Sequence, residues 1–170
     1  MRSRLLGERR AVVIGLDMYL KASVYVSDWN HCEPDDKAVL YRELATKLNI
    51  PTTDESPSAE LHFNVAYWRK ANAIHNWFVQ NVQDGRDECQ LSYVSHEQLN
   101  QLVEAAKEAL ALYGTGNKRG AAELLPPTAG FFFGSTEVDD YYREDLVNTV
   151  QQLEPLLERK DLEFYYQSSW

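Results

Sequence analysis

Sulfur chemistry is scarce in this sequence. Its 170 residues contain two cysteines, Cys32 and Cys89, far apart and outside any CxxC pair. Two are too few for a disulfide scaffold, and they read as free thiols of a reducing cytosol. Long apolar runs are also missing, since no stretch approaches the roughly 18 residues that a membrane-spanning helix needs. Glycine and proline are modest, at 8 and 6, while hydrophobic residues make up 44% and charged residues 25%. That balance excludes the collagen-like and disordered classes. Positive charge is in short supply, with 17 Lys and Arg against 26 Asp and Glu, for a net charge of -9. Four of the basic groups, Arg2, Arg4, Arg9 and Arg10, fall in the first fourteen residues with only Glu8 against them. The rest of the chain is therefore more acidic than the total. Such a surface repels phosphate backbones, which argues against general nucleic-acid binding and suits a basic protein partner.

Known catalytic templates are absent too. The chain has no HExxH, GxSxG, Walker or Rossmann pattern. His31, Cys32, His62, His75, Cys89 and His96 lack ligand spacing, so neither a metal nor a cofactor is expected. Asp17 interrupts the apolar patch from Ala11 to Leu16 and no cleavage site follows it cleanly, which disfavours a secretory signal. Residues 1–14 read as a disordered extension and residues 15–170 as a single domain in the cytoplasm.

Periodicity supplies the elements. Residues 12–27, rich in β-branched and aromatic types, predict a first strand or hairpin. A helix follows from Asp35 to Leu48, with Leu40, Leu44 and Leu48 at helical spacing, and Pro51 stops it. In residues 60–67, Leu61, Phe63, Val65 and Tyr67 alternate as one face of a strand. That strand runs into a helix near Tyr67 or Trp68 that reaches Val82. Residues 89–94 predict a short strand. Ser95 and Gln98 form a capping box for a helix whose buried stripe is Leu99, Leu102, Ala106, Ala109 and Leu110. Residues 114–128 read as an irregular loop, 129–134 as a strand, and 137–158 as a last helix that Pro155 kinks or ends early. A final strand covers 162–169. Because the strands alternate polar and apolar, the reading is α+β: a mostly antiparallel sheet of four to five strands with three to four helices.

Three segments carry candidate site residues. On a helix through YWRKANAIHNWF, Ala71, Ile74, Phe78 and Val82 form the core stripe, and Trp68, Asn72, His75 and Val79 a second stripe beside it. The second stripe reads as a ligand wall in which Trp68 stacks, Asn72 and His75 hydrogen-bond, and Arg69 or Lys70 meets an anion. In AGFFFGSTEVDD, a strand followed by Gly134, Ser135 and Thr136 before a helix resembles a phosphate cradle. However, Glu137, Asp139 and Asp140 in the first turn would repel an anion, and Thr136 with Asp139 looks like ordinary N-capping. Gly130 and Gly134 permit close approach to Phe132 and its neighbours. At the C-terminus, Tyr166 and Trp170 suggest packing onto the domain or onto a second subunit, so a homodimer fits as well.

The segments GLDMYL (15–20), AYWRKANAIHNWF (66–78), ELLPPTAGFFFGSTEVDDYYREDL (123–146) and YYQSSW (165–170) together resemble a family of small phage and bacterial proteins, over nearly the whole chain from Gly15. The resemblance brings no catalytic residues with it. It implies an accessory role, such as interference with a host defence or signalling process, and for a phage-encoded chain the host cytoplasm.

Three functions follow as expectations. The first is binding of a small, partly flat ligand, a nucleotide being one such molecule, by the segments above. The second is an acidic inhibitor that binds a basic host protein through Glu137, Asp139 and Asp140. The third is a hydrolase or transferase pairing His75 with Asp17 or Glu137.

Overall fold

Strand alternation gives this protein one buried sheet face, and amphipathic helices cover it. The computed structural model describes residues 15–170. The proposed start of the first strand at Val12 and the extension over residues 1–14 lie outside the described residues.

The element order is β1 (Asp17–Ser27), α1 (Asp36–Leu48), β2 (Ser58–Arg69), α2 (Asn72–Asn81), β3 (Ser92–Val94), α3 (His96–Gly114), α4 (Lys118–Leu124), α5 (Asp140–Leu153), a 3-10 turn (Glu154–Leu156) and β4 (Glu163–Ser169). The four strands form one antiparallel sheet in the order β2-β1-β4-β3. The fold is α+β, as the alternation predicts. Among the described residues, no helix is long and apolar enough to cross a membrane.

Met18, Leu20, Ala66, Trp68, Val94, Phe164 and Tyr166 bury one face of the sheet against α2, α3, α4 and α5. Phe78 of α2 stacks flat on Tyr166 of β4, with ring centroids 3.9 Å apart. The opposite face presents Tyr19, Lys21, Tyr67, Tyr93 and Tyr165, whose positions follow from the register.

Several elements differ from the sequence reading. Pairing of β1 with β2 shifts register between Leu20 and Lys21, so Leu20 faces Ala66 while Lys21 faces Asn64. Val65 is the extra residue of a bulge. Opposed residues share a face, so Phe63, opposite Ala22, stands on the other side of the sheet from Tyr67, opposite Tyr19. The single apolar face expected for Leu61, Phe63, Val65 and Tyr67 is thereby broken, and Phe63 is left exposed. Helix α1 starts one residue after Asp35, whose carboxylate caps it through Ala38 N–H. It buries Ala38 and Tyr41 and leaves Leu40 and Leu48 exposed. Strand β3 is confined to residues 92–94.

Residues 129–134 are a turn, with no strand pairing. Helix α4 occupies part of the stretch read as loop, capped by Asn117 through Gly120 N–H. Helix α5 begins at Asp140 with Asp139 as its cap, later than the expected start at 137. Pro155 ends it early, in a 3-10 turn. The capping box of Ser95 and Gln98 on α3 forms as read.

Phe78→Ala should cost about 3–5 kcal/mol, the usual penalty for emptying a buried aromatic site. Phe63→Ala should stay within about 0.5 kcal/mol of the parent, as surface changes do. Urea unfolding of both variants measures the contrast.

Candidate functional site

The site begins where β2 turns into α2. Trp68 still belongs to the strand, so the expected helical stripe joining it to Asn72 and His75 does not form. Its ring packs in the core and its indole N–H donates to the Thr149 hydroxyl of α5 at 2.9 Å. Two residues on, Lys70 adopts a left-handed backbone, with φ 58°. Its N–H donates to the Leu16 carbonyl at 2.8 Å and its carbonyl accepts from Asn72 N–H at 2.9 Å. This turn redirects the chain into α2. It also brings the Arg69 and Lys70 side chains together over Gly15, where an added Cβ would lie 3.5 Å from Lys70 Cε and 3.6 Å from Arg69 Nη2.

The second wall is the 127–137 segment, and Asn72 fixes it. Its amide Nδ2 donates to the carbonyls of Phe133 (3.1 Å) and Ser135 (2.7 Å), and its Oδ1 accepts from Thr128 N–H at 3.2 Å. Gly130 leaves room for the Phe133 ring, which would collide with any Cβ there. Gly134, at φ 90°, lies against the Lys70 side chain and backbone. Both its conformation and its closeness favour glycine.

Between these walls and the start of α5 lies a cavity of about 360 Å³. Arg69, Lys70, Asn72, Gly134 and Ser135 line it, so the structure brings together five of the twelve sequence-picked residues. The remaining wall, which sequence reasoning missed as a ligand surface, is acidic and aromatic: Glu137 and Asp139, then Tyr141, Tyr142 and Asp145 of α5.

Asp139 is occupied. Its carboxylate accepts from the N–H groups of Tyr141 and Tyr142, so the N-terminus of α5 is already capped. The cap is Asp139, where the sequence suggested Thr136, and Thr136 is exposed outside the cavity lining. Tyr142 donates its hydroxyl to the carbonyls of Ala121 and Leu125, and burial pushes that hydroxyl up to about 12. Asp145 is different. Burial, then the nearby Glu144 and Asp139 carboxylates, push its carboxyl up to about 7. Among the described residues, it joins no ion pair and accepts no hydrogen bond on its side chain. Arg69 and Lys70 likewise have no carboxylate within 4.0 Å among the described residues.

The other picked residues lie elsewhere. His75 is buried, with Nδ1 2.7 Å from the Tyr166 hydroxyl and Nε2 2.9 Å from Asp87. The Phe133 ring meets it edge-on. Its carboxylate partner is therefore Asp87, in place of the expected Asp17 or Glu137. Asp17 accepts from the Tyr67 hydroxyl on the opposite sheet face, and that bond pushes Tyr67 up to about 12. Tyr166 is wholly enclosed, and burial raises its hydroxyl well above the ordinary value. Trp170 packs onto its own domain, donating its indole N–H to Asp87 at 3.1 Å. Phe132, in a left-handed conformation with φ 68°, is exposed beside Phe131. Of the acids assigned to a protein partner, Asp139 is the helix cap and Asp140 accepts from the Tyr113 hydroxyl at 2.9 Å. Among the described residues, no group of three or more His, Cys, Asp and Glu is placed to hold a metal.

Asn72→Ala leaves the buried Phe133 carbonyl, the Ser135 carbonyl and the Thr128 N–H without their partner. It should cost roughly 2–3 kcal/mol and raise amide exchange at Thr128, both read by hydrogen-exchange mass spectrometry. A second outcome concerns Asp145. An acid whose folded-state value is raised destabilises the fold only once it must ionise. The penalty is absent below about pH 4, grows as pH rises towards 7 and is constant above. Asp145→Asn should therefore gain stability relative to the parent across that interval, as thermal melts at pH 4.5 and pH 8 would register.

No protein-family model, curated protein or solved structure matches the chain.

Proposed function

We propose that this protein binds a small phosphate-bearing ligand, of nucleotide type, in the cavity between the β2–α2 turn and α5. The observation that carries the reading is the convergence of Arg69 and Lys70. Two cationic side chains lie together over Gly15 with no carboxylate partner among the described residues. Like charges held together repel unless an anion sits between them. A guanidinium beside an ammonium suits a phosphate, which accepts several charge-assisted hydrogen bonds at once.

The cavity volume of about 360 Å³ lies within the range of small-molecule sites, roughly 300–1,000 Å³. Tyr141 offers an aromatic face at its rim, fit to stack on a flat ring. The ligand wall differs in composition from the sequence reading: Trp68, His75 and Tyr166 serve the core, and Tyr141 replaces Trp68 as the stacking surface. The resemblance to small phage and bacterial proteins supports an accessory task, in which binding withdraws the ligand from a host defence or signalling process.

Native mass spectrometry of protein purified from a cellular extract tests the reading. A stoichiometric small-molecule mass should accompany the chain and be released on denaturation. Arg69→Ala should lose that mass while keeping the parent's thermal melt. Retention that survives both Arg69→Ala and Lys70→Ala would refute the assignment of the phosphate to this turn.

A further inference from the structure

The outer edge of β2 is complementary to itself. We infer that two copies of this chain join along residues 58–64, about a two-fold axis at Leu61, so that the four-stranded sheet doubles into one continuous antiparallel sheet.

The direction of each backbone group follows from a few contacts. β2 is an end strand, and among the described residues β1 is its sole strand neighbour. Pro57 turns its carbonyl to the β1 side, accepting from Asp28 N–H at 2.9 Å. Opposed residues of an antiparallel pair alternate between bonded and unbonded. Ala59, Leu61 and Phe63 therefore bond to β1, while Ser58, Glu60, His62 and Asn64 direct their backbone groups outward. Beyond the bulge at Val65, Tyr67 is outward again, with both its backbone groups on Gln152.

This open edge is bounded at both ends. The bulge and the Gln152 cap close one, and Pro57, which has no N–H, closes the other. Between them, residues 58–64 contain no lysine, proline or bulge, the devices that blunt an edge. Ser58 N–H is held by the Ser56 carbonyl at 2.9 Å. The N–H groups of Glu60, His62 and Asn64 and the carbonyls of all four outward residues have no partner among the described residues.

A second copy fits that edge. With Leu61 opposite Leu61 of the second copy, Glu60 meets His62 and Ser58 meets Asn64, so outward residues face outward residues throughout. By symmetry a carboxylate faces an imidazole on each side of the axis. Centring on Glu60 would set two carboxylates directly opposite each other, which destabilises a sheet. Centring on His62 would set Ser58 against Ala66, past the bulge. The side chains agree with the Leu61 register. Leu61 and Phe63 lie opposite Val24 and Ala22, on the face that carries the helices. Phe63, 55% exposed, then stands opposite Ala59 of the second copy, a large ring beside a small side chain. The same patch serves both copies, so the contact closes at two.

Analytical ultracentrifugation of the full chain, from roughly 1 μM to 1 mM to span weak and moderate affinities, should show the mass rise from 19.6 kDa towards twice that value. His62→Pro removes an outward N–H and spares the β1 ladder, so it should stay monomeric with the parent's circular dichroism. His62→Glu sets two carboxylates face to face and should weaken pairing, and adding Glu60→Lys should restore it. Phe63→Ala should move association to higher concentration while the protomer stays folded. An unbonded antiparallel pair holds its Cα atoms about 4.5 Å apart, within disulfide reach. In a Cys32→Ser background, Leu61→Cys should therefore oxidise to a covalent dimer and Ala59→Cys should not. A parent that is monomeric at every concentration would overturn the inference. So would a dimer that both His62 variants leave intact, or one that Ala59→Cys cross-links in place of Leu61→Cys.

Discussion

The left-handed turn at Lys70 is the constraint on which the rest of the site depends. The chain changes direction sharply where β2 ends at Arg69 and α2 begins at Asn72. One residue with positive φ makes the change of direction, and its N–H and carbonyl are both used, one on Leu16 and the other on Asn72. A lysine in this region is strained relative to glycine, and strain of this kind is often held at functional sites. Here it sets two cations beside each other in the lining of a cavity.

Asn72 carries the constraint to the opposite wall. One amide satisfies three backbone groups of the 128–135 segment. The residue thus has a different physical role from the ligand contact that its position suggests. His75 follows the same pattern. Its two ring nitrogens are taken by Tyr166 and Asp87, and through Asp87 the indole of Trp170 is tied down. The polar residues of α2 hold three distant parts of the chain around one helix, and of these only the segment bound by Asn72 lines the cavity.

Much of the architecture was legible in the sequence. The capping box of α3, the stop at Pro155 and the alternation of β4 each depend on residues adjacent in sequence, where local rules apply. The boundary between β2 and α2 was not legible, because nothing in YWRKAN marks Lys70 as the residue with positive φ. The run AGFFFG has strand composition, yet it turns because Phe133 folds back over Gly130, a contact within the loop itself. Helix α4 was hidden by flanking glycines and prolines. For the site, the basic pair and the Gly134–Ser135 stretch were readable. Asp145 was not, since a single aspartate in an amphipathic helix carries no sign of how deeply the fold encloses it.

Gln152 is a small feature with a wider consequence. It lies on α5, and its side-chain amide accepts from Tyr67 N–H at 2.8 Å and donates to the Tyr67 carbonyl at 3.1 Å, on the free edge of β2. One amide thereby reproduces a single rung of the strand that is missing from that edge. An unsatisfied edge invites another chain to add itself and propagate the ladder. A glutamine placed there ends the ladder instead, because a side chain has no further backbone to extend. The β2 edge at Tyr67 is in this way protected against fibre-like growth.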